Sequence, residues 1–428
     1  MLLVYTHTIT PRLLYICEFI LKEQLGISFV VTDQQEILNN HTGPILNYSL
    51  EKIDRNCLHI APQGILFQKS IEQQQVDCFE TDHCTAFFKT NGGDLTFDIF
   101  GASFFLISRY EEYLPHQKDA FGRYDHHSSV AHRNGFLQRP LVSQWMVLLG
   151  RILKEKFPSL SIEPGHFQFK PTYDIDIAWS YKNKGVIRNM VGFCRKPSVY
   201  RLKVMLGIEK DPFDSYDFLD RLHQEYSLHP IYFFLVSHLM GRYDKNISPF
   251  KKSMRRLIQH HDRRYTIGIH PSWKSNKAIY ILQKEKRRLT RLVKHDIISS
   301  RQHYIKFSLP DTYQRLIQTN IHEEYSMGYP STNGFRASVA SSFYWYDLSK
   351  EEKTTLRLHP FCFMDATCFY YQKKSAEEAF SELMYYYEEC KKVQGSFITI
   401  FHNNFLGTDP QFEGWQEMYA RFISQVQR

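Results

Sequence analysis

Two carboxylates, two residues apart, are the first residues in this chain with chemistry to offer. In Pro171-Thr-Tyr-Asp174-Ile-Asp176-Ile-Ala, an extended backbone turns Asp174 and Asp176 to the same face, because side chains alternate along a strand. Two carboxylates on one face repel unless one keeps its proton or a cation lies between them. A divalent ion, with one carboxylate as ligand and the other as base, is a natural use of the pair. The plainer use is one Asp capping the next segment and the other in solvent. A histidine closes the apolar run Thr266-Ile-Gly-Ile-His270-Pro-Ser-Trp273, where an imidazole is well placed to bind a divalent ion. In Ser300-Arg-Gln-His303-Tyr-Ile-Lys-Phe, His303 offers a further nitrogen ligand or a substrate contact, with Arg301 beside it as a structural residue. Gly334-Phe-Arg336-Ala-Ser sets an arginine among small residues, suited to clamp a carboxylate or hold a catalytic aspartate. Leu358-His359-Pro-Phe-Cys-Phe-Met-Asp365 comes next. His402, in Ile398-Thr-Ile-Phe-His402-Asn403-Asn404, is a general-acid candidate at a strand end. His126-His127 reads as a surface turn pair, with no third ligand near in sequence.

Such residues need a frame that gathers strand ends. From Phe167 onward, β-rich apolar runs alternate with helical periods. Strands are expected at Phe167–Ile177, Ile231–Val236, Thr266–Ile269, His303–Phe307 and Phe397–Phe401. Helices are expected at Tyr216–Tyr226, Lys252–His261, Lys277–Lys294, Ala376–Val393 and Trp415–Val426. Repeated β-then-α units predict an α/β domain on a parallel sheet, whose active sites lie at the C-terminal strand ends. Residues 1–165 read as a smaller α+β domain of unknown role. It has strands at Leu2–Thr6 and Phe29–Thr32 and helices at Pro11–Leu25, Phe97–Tyr113 and Gln138–Phe157. Pro158–Gly165 is the candidate linker to residues 166–428.

Composition narrows the classes. The formal charge of +8 collects in clusters such as Lys251, Lys252, Arg255, Arg256 and Lys284, Lys286, Arg287, Arg288, Arg291. A solvated helix face is the plain reading; attraction to an anionic surface, acidic glycan or the lipid head groups of a membrane surface, is the functional one. No nucleic-acid-binding motif accompanies the charge, so nucleic acid is not an expected partner. The start, Met1-Leu-Leu-Val-Tyr-Thr-His, lacks the charged and long apolar stretches of a signal peptide. No run approaches a membrane span, and the eight cysteines include no C-x-x-C pair. A cytoplasmic protein with reduced thiols is expected.

Taken in order, the acidic motif, the Gly-Ile-His-Pro-Ser motif, the arginine motif, the Met-Asp motif and the late Phe-His-Asn-Asn resemble the polysaccharide deacetylases of carbohydrate esterase family 4, the NodB-homology domain, over about residues 166–428. The strings are most similar to a divergent bacterial branch with an extra N-terminal domain. The resemblance implies a deformed seven-stranded (β/α) barrel and metal-dependent hydrolysis of an acetyl group on an amino sugar. It makes Asp174 the general base, His402 the general acid and Arg336 the residue that orients the base. Asp176 and His270 become ligands of a divalent metal, zinc first, with cobalt or nickel as alternatives. The family's second metal histidine falls at Lys274 here, so either His303 completes the set from a neighbouring strand or metal binding is weak or absent. Trp273, Tyr329, Asp365 and Asn403 are the expected substrate contacts. Two other readings share these residues: a metal-free barrel acting as a carbohydrate-binding or regulatory protein, and a glycosyltransferase using Asp174-x-Asp176 to hold a nucleotide-sugar through its metal.

Overall fold

A computed structural model describes residues 1–81, 84–195, 197–238 and 241–427. The chain opens with β1 (Leu2–Tyr5), buried along its whole length, and a helix at Pro11–Cys17. Thr10 caps that helix by accepting from the Leu13 N–H, and Pro11 fills the first turn, where no amide donor is missed. The helix continues as a π-helical stretch, Glu18–Gln24. Three more strands, β2 (Phe29–Thr32), β3 (Ile45–Asn47) and β4 (Leu58–His59), join β1 in a parallel sheet of order β2-β1-β3-β4. A short antiparallel ribbon follows, β5 (Phe79–Glu80) with β6 (Thr85–Ala86). The helix Ile99–Ile107 is buried on every side and is capped by Asp98, which accepts from the Gly101 N–H.

The second sheet holds β7 (Gln168–Ile175), β8 (Ile231–Phe234), β9 (Thr266–Ile269), β10 (Ser299–Ser300), β11 (Glu323–Glu324), β12 (Phe343–Asp347), β13 (Glu352–Leu358), β14 (Phe363–Met364) and β15 (Ser396–His402). Its order is β12-β13-β11-β10-β9-β8-β7-β15-β14, parallel except where β12 turns back on β13. The fold is therefore mixed α/β, as the alternating periods predict. The expected closed seven-stranded barrel is not observed. Nine strands run in an open order, and among the described residues no ladder joins β12 to β14. Three of these strands are only two residues long, which leaves few main-chain bonds to carry a closure. The expected strand at His303–Phe307 is also replaced. Pairing stops at Ser300, and His303–Ile305 forms a tight turn with Tyr304 and Ile305 at positive φ (61° and 51°).

One apolar core runs through residues from both halves of the chain. Tyr15 packs on Tyr346 at 4.9 Å between ring centroids and donates to the Tyr344 carbonyl at 2.7 Å. Arg12, fully buried, bonds the Glu351 carboxylate with two nitrogens at 2.8 and 2.5 Å.

Candidate active site

Parallel pairing brings the chemistry together. β15 and β7 run in register with His402 opposite Asp174, and Asp176 follows just past the end of β7. β8 pairs on the other side, with Phe234 opposite Ile175, and β9 pairs with β8, so that His270 leaves β9 at the same level. The shared end of these strands is where ligands bind in parallel sheets.

Three imidazoles converge on Asp176. His270 donates from Nδ1 to the Arg301 carbonyl at 2.6 Å, which leaves Nε2 as the lone-pair nitrogen. That Nε2 lies 3.0 Å from Asp176 Oδ1 and 3.8 Å from Asp174 Oδ2. His303 is oriented the same way, with Nδ1 on Asp244 Oδ1 at 3.0 Å and Nε2 3.3 Å from Asp176 Oδ2. His402 has Nδ1 on Asp365 Oδ1 at 2.7 Å and Nε2 3.6 Å from Asp176 Oδ2. An imidazole whose far nitrogen is held by a carboxylate or carbonyl is the usual arrangement around a metal ion. The candidate ligand atoms of Asp176, His270 and His303 all lie within 4.8 Å of one another. Asp176 Oδ1 is buried and accepts no hydrogen bond. Two neutral nitrogens and one carboxylate oxygen, with room for water, fit a zinc-like divalent ion.

The electrostatics agree. Burial opposes charge on Asp176, yet His303 and His270 outweigh it and hold the carboxyl well below its usual range. Burial likewise opposes charge on His303, but Asp176 and Asp244 raise it to about 9. His402 is raised to about 10 against its burial, by Asp365 first and then Asp176 and Asp174. His303 and His402 thus hold their protons against anionic partners, the charge a bound cation would replace.

Asp174 is buried, and its Oδ1 accepts from Arg301 Nη1 at 2.9 Å. Arg301 is itself fixed by Thr172 Oγ1 at 2.7 Å, by the Tyr325 carbonyl at 3.0 Å and by the Phe233 ring 4.4 Å away. Gly268 makes room for that ring, since a Cβ there would come within 2.4 Å of it. Arg301 therefore holds the position expected of Arg336. Arg336 instead grips Glu112 with two nitrogens at 2.8 and 2.6 Å, and Arg109 bonds the same carboxylate at 2.8 Å. The correction has a simple cause: a buried acid from residues 1–165 offers Arg336 a two-pronged partner.

Three of the expected substrate contacts are held by protein partners. Asp365 accepts both the His402 backbone N–H at 2.6 Å and its Nδ1, so it positions that histidine. Asn403 is buried and donates to the Ile177 and Phe213 carbonyls. Tyr329 is buried and accepts from Arg109 Nη2 at 3.2 Å. Trp273 is half-buried, stacked on Tyr243 at 4.0 Å and 5.6 Å from Tyr304. Lys274 is exposed.

A cavity of about 410 Å³ opens over the cluster, lined by Asp174, Asp176, His270, His402, Tyr304 and Arg123 among others. Arg123 comes from residues 1–165. It is held by Asp119 Oδ2 at 2.6 Å and donates to the Tyr304 carbonyl at 2.7 Å and to Tyr371 Oη at 3.1 Å. Exposed Tyr370 and Tyr371 stand at the mouth. Asp244, Arg123 and the contact of Arg301 with Asp174 escape sequence reasoning. Arg301 lies in the quoted His303 string, but nothing in its spacing points to Asp174. Asp244 and Arg123 sit in loops without a pattern.

Comparison with known proteins adds three findings. The model of a family of unknown function, DUF7033, matches residues 2–158. No curated protein matches the chain. Among solved structures, a probable polysaccharide deacetylase from Pseudomonas aeruginosa is similar at 10% identity and a TM-score of 0.39, covering 62% of this chain and 89% of that one. A polysaccharide deacetylase from Bacillus cereus is similar at 8% identity and 0.32, covering 60% and 88%. A pseudoenzyme of carbohydrate esterase family 4 from Bacillus anthracis is similar at 10% identity and 0.31, covering 61% and 63%. These likenesses are distant, and none of them assigns an activity to this chain.

Proposed function

We propose that this chain is a metal-dependent hydrolase that removes an acetyl group from an amino sugar of a glycan or glycan precursor. The observation that carries this reading is the convergence of three imidazole Nε2 atoms on Asp176, with Asp174 held alongside by Arg301. Asp176, His270 and His303 would hold the ion, zinc by its donor set, with cobalt or nickel able to replace it. When bound, the ion supplies Lewis acidity to an acetyl carbonyl and to water. Asp174 is the base that takes the proton of the attacking water, and Arg301 fixes its orientation. His402 carries a proton to the leaving amine, with Asp365 holding its ring. Tyr304, Tyr370 and Tyr371 offer ring faces to a sugar at the mouth of the cavity. The sequence resemblance supplies the substrate class. A nucleotide-sugar role for Asp174-x-Asp176 would leave the three imidazoles without a task.

The test is metal content by elemental analysis, followed by acetate release from an acetylated amino sugar. We expect the parent to lose one equivalent of ion in each of Asp176→Ala, His270→Ala and His303→Ala. Asp174→Asn is expected to keep the ion and lose acetate release. An ion content unchanged by all three ligand variants would reduce the chain to a carbohydrate-binding or regulatory protein.

A location for the substrate is part of this reading. From Ile177 to Ile208 the chain carries Lys182, Lys184, Arg188, Arg195, Lys196, Arg201 and Lys203, and no Asp or Glu. The same stretch leaves Val199, Leu206 and Ile208 exposed at 71%, 75% and 67%. Arg255, Lys284, Arg287, Arg288 and Arg291 surround a recess beside exposed Phe250. Basic residues around protruding apolar ones suit an anionic membrane surface. No helix among the described residues is long and apolar enough to cross a membrane. A lipid-linked sugar at the cytoplasmic face fits both features.

A further inference from the structure

A second cluster of ligating side chains lies outside the active site. His126 and His127 begin a short turn, and His132 follows in the next helix, Val130–Arg133. The fold brings all three rings together, with centroids 3.9 Å apart for His126 and His127, 5.0 Å for His126 and His132, and 4.7 Å for His127 and His132. Ligand nitrogens from the three lie within 4.8 Å of one another. The third ligand, absent from the immediate sequence neighbourhood of His126-His127, is His132, six residues after His126.

Two of the rings are oriented as ligands are. His126 has Nδ1 on Ser331 Oγ at 3.0 Å, and His127 has Nδ1 on Asp125 Oδ1 at 2.7 Å, which leaves both Nε2 atoms available. Asp125 further fixes the turn by accepting from the His127 backbone N–H.

We propose that His126, His127 and His132 form a second metal site that takes a borderline divalent cation such as Zn²⁺, Ni²⁺ or Cu²⁺, with water completing the coordination. Three imidazoles favour those ions over Mg²⁺ or Ca²⁺, which require oxygen ligands. The site joins two parts of the cavity wall. His126 reaches Ser331, next to Pro330 of that wall, and Arg123 of the wall lies three residues before His126. A bound ion would clip the Arg123 segment in place.

The experiment uses Co²⁺ titration with visible absorption, and thermal unfolding with and without Zn²⁺. Four full-length proteins are compared: parent, His127→Ala/His132→Ala, Asp176→Ala/His270→Ala, and the variant with all four changes. Both histidines of the first double variant are exposed, so its fold is expected to survive. The Asp176→Ala/His270→Ala protein should still bind one Co²⁺ and gain thermal stability with Zn²⁺. Combining all four changes should abolish both effects. The proposal is overturned if Asp176→Ala/His270→Ala binds no ion, or if adding His127→Ala/His132→Ala to it leaves binding unchanged. Failure of the active-site reading would look different: His127→Ala/His132→Ala alone would then remove all the ion that the parent binds.

Discussion

At the residue scale, Arg301 and Arg336 are both fully buried and both bonded to a carboxylate, yet they serve different ends. Arg301 touches Asp174 inside the cavity cluster. Arg336 touches Glu112, which lies outside it, and the Arg336–Glu112–Arg109 group joins residues from the two halves of the chain. Arg301→Gln should therefore keep its metal and lower kcat about 100-fold, the scale of a catalytic group left about an ångström out of place. Arg336→Met should turn over normally once folded but lose about 3 kcal/mol of stability, since it leaves a buried charge with one partner fewer. Steady-state kinetics beside urea unfolding separates the two. The reverse pattern would return Arg336 to the active site. The pair also shows a limit of sequence reading: both arginines lie in suggestive strings, and only the direction of each side chain decides between them.

At the element scale, the strands that carry chemistry are those with the clearest period. β9 and β15 are legible as compact apolar runs that lead into or end in a histidine, His270 and His402, and β7 as the strand that runs into Asp174-Ile-Asp176. β10 and β11 are two residues long, and the β12–β13 hairpin has no strong alternation, so neither leaves a readable trace. The helices Val186–Arg195 and Val199–Met205 pose a different question, because Met190, Val199, Leu202 and Met205 are exposed. If the surface meets an anionic bilayer, the parent should sediment with phosphatidylglycerol vesicles and stay in solution with phosphatidylcholine alone. Leu206→Asp/Ile208→Asp should release it from the anionic vesicles while leaving acetate release from a soluble sugar unchanged. Added salt should weaken the binding, since the charged part of the attraction is screened. Equal sedimentation of parent and variant would remove these residues from any such contact.

On the scale of the whole molecule, buried acids give the stability a dependence on pH in both directions. Glu324 is fully buried, and burial raises it to about 7 despite bonds from Ser326 and Tyr313. A glutamate in the unfolded chain titrates near about 4.3, so folding favours the protonated form of Glu324. Its contribution is complete below about pH 4 and is lost as pH rises through 7, on the order of 3 kcal/mol. Glu112 runs the other way: against its burial, Arg336 and Arg109 lower it to about 2. Its contribution is present above about pH 4.5 and lost as pH falls toward 2. Glu324→Gln keeps an acceptor for the Ser326 N–H and removes the titration, so urea midpoints between pH 4 and 8 should decline less steeply than in the parent. A parallel decline in both proteins would mean that Glu324 is not the source of the slope.

The sequence by itself determined which segments alternate as β and α and which residue types end the strands. Asp174, Asp176, His270 and His402 could be picked out because each sits where a periodic run stops, a local property of the chain. Tertiary structure alone decided the rest. It set Arg301 on Asp174 across 127 residues, Asp244 behind His303, and Arg123 in the wall of a cavity formed by the other half of the chain. It also set Asp365 on the His402 ring and Asn403 on the Ile177 carbonyl, gave the described strands an open order, and gathered His132 to His126 and His127. Each of these depends on where a loop aims a side chain and on what packs behind it. Those outcomes follow from packing between distant segments, which local period and spacing do not encode.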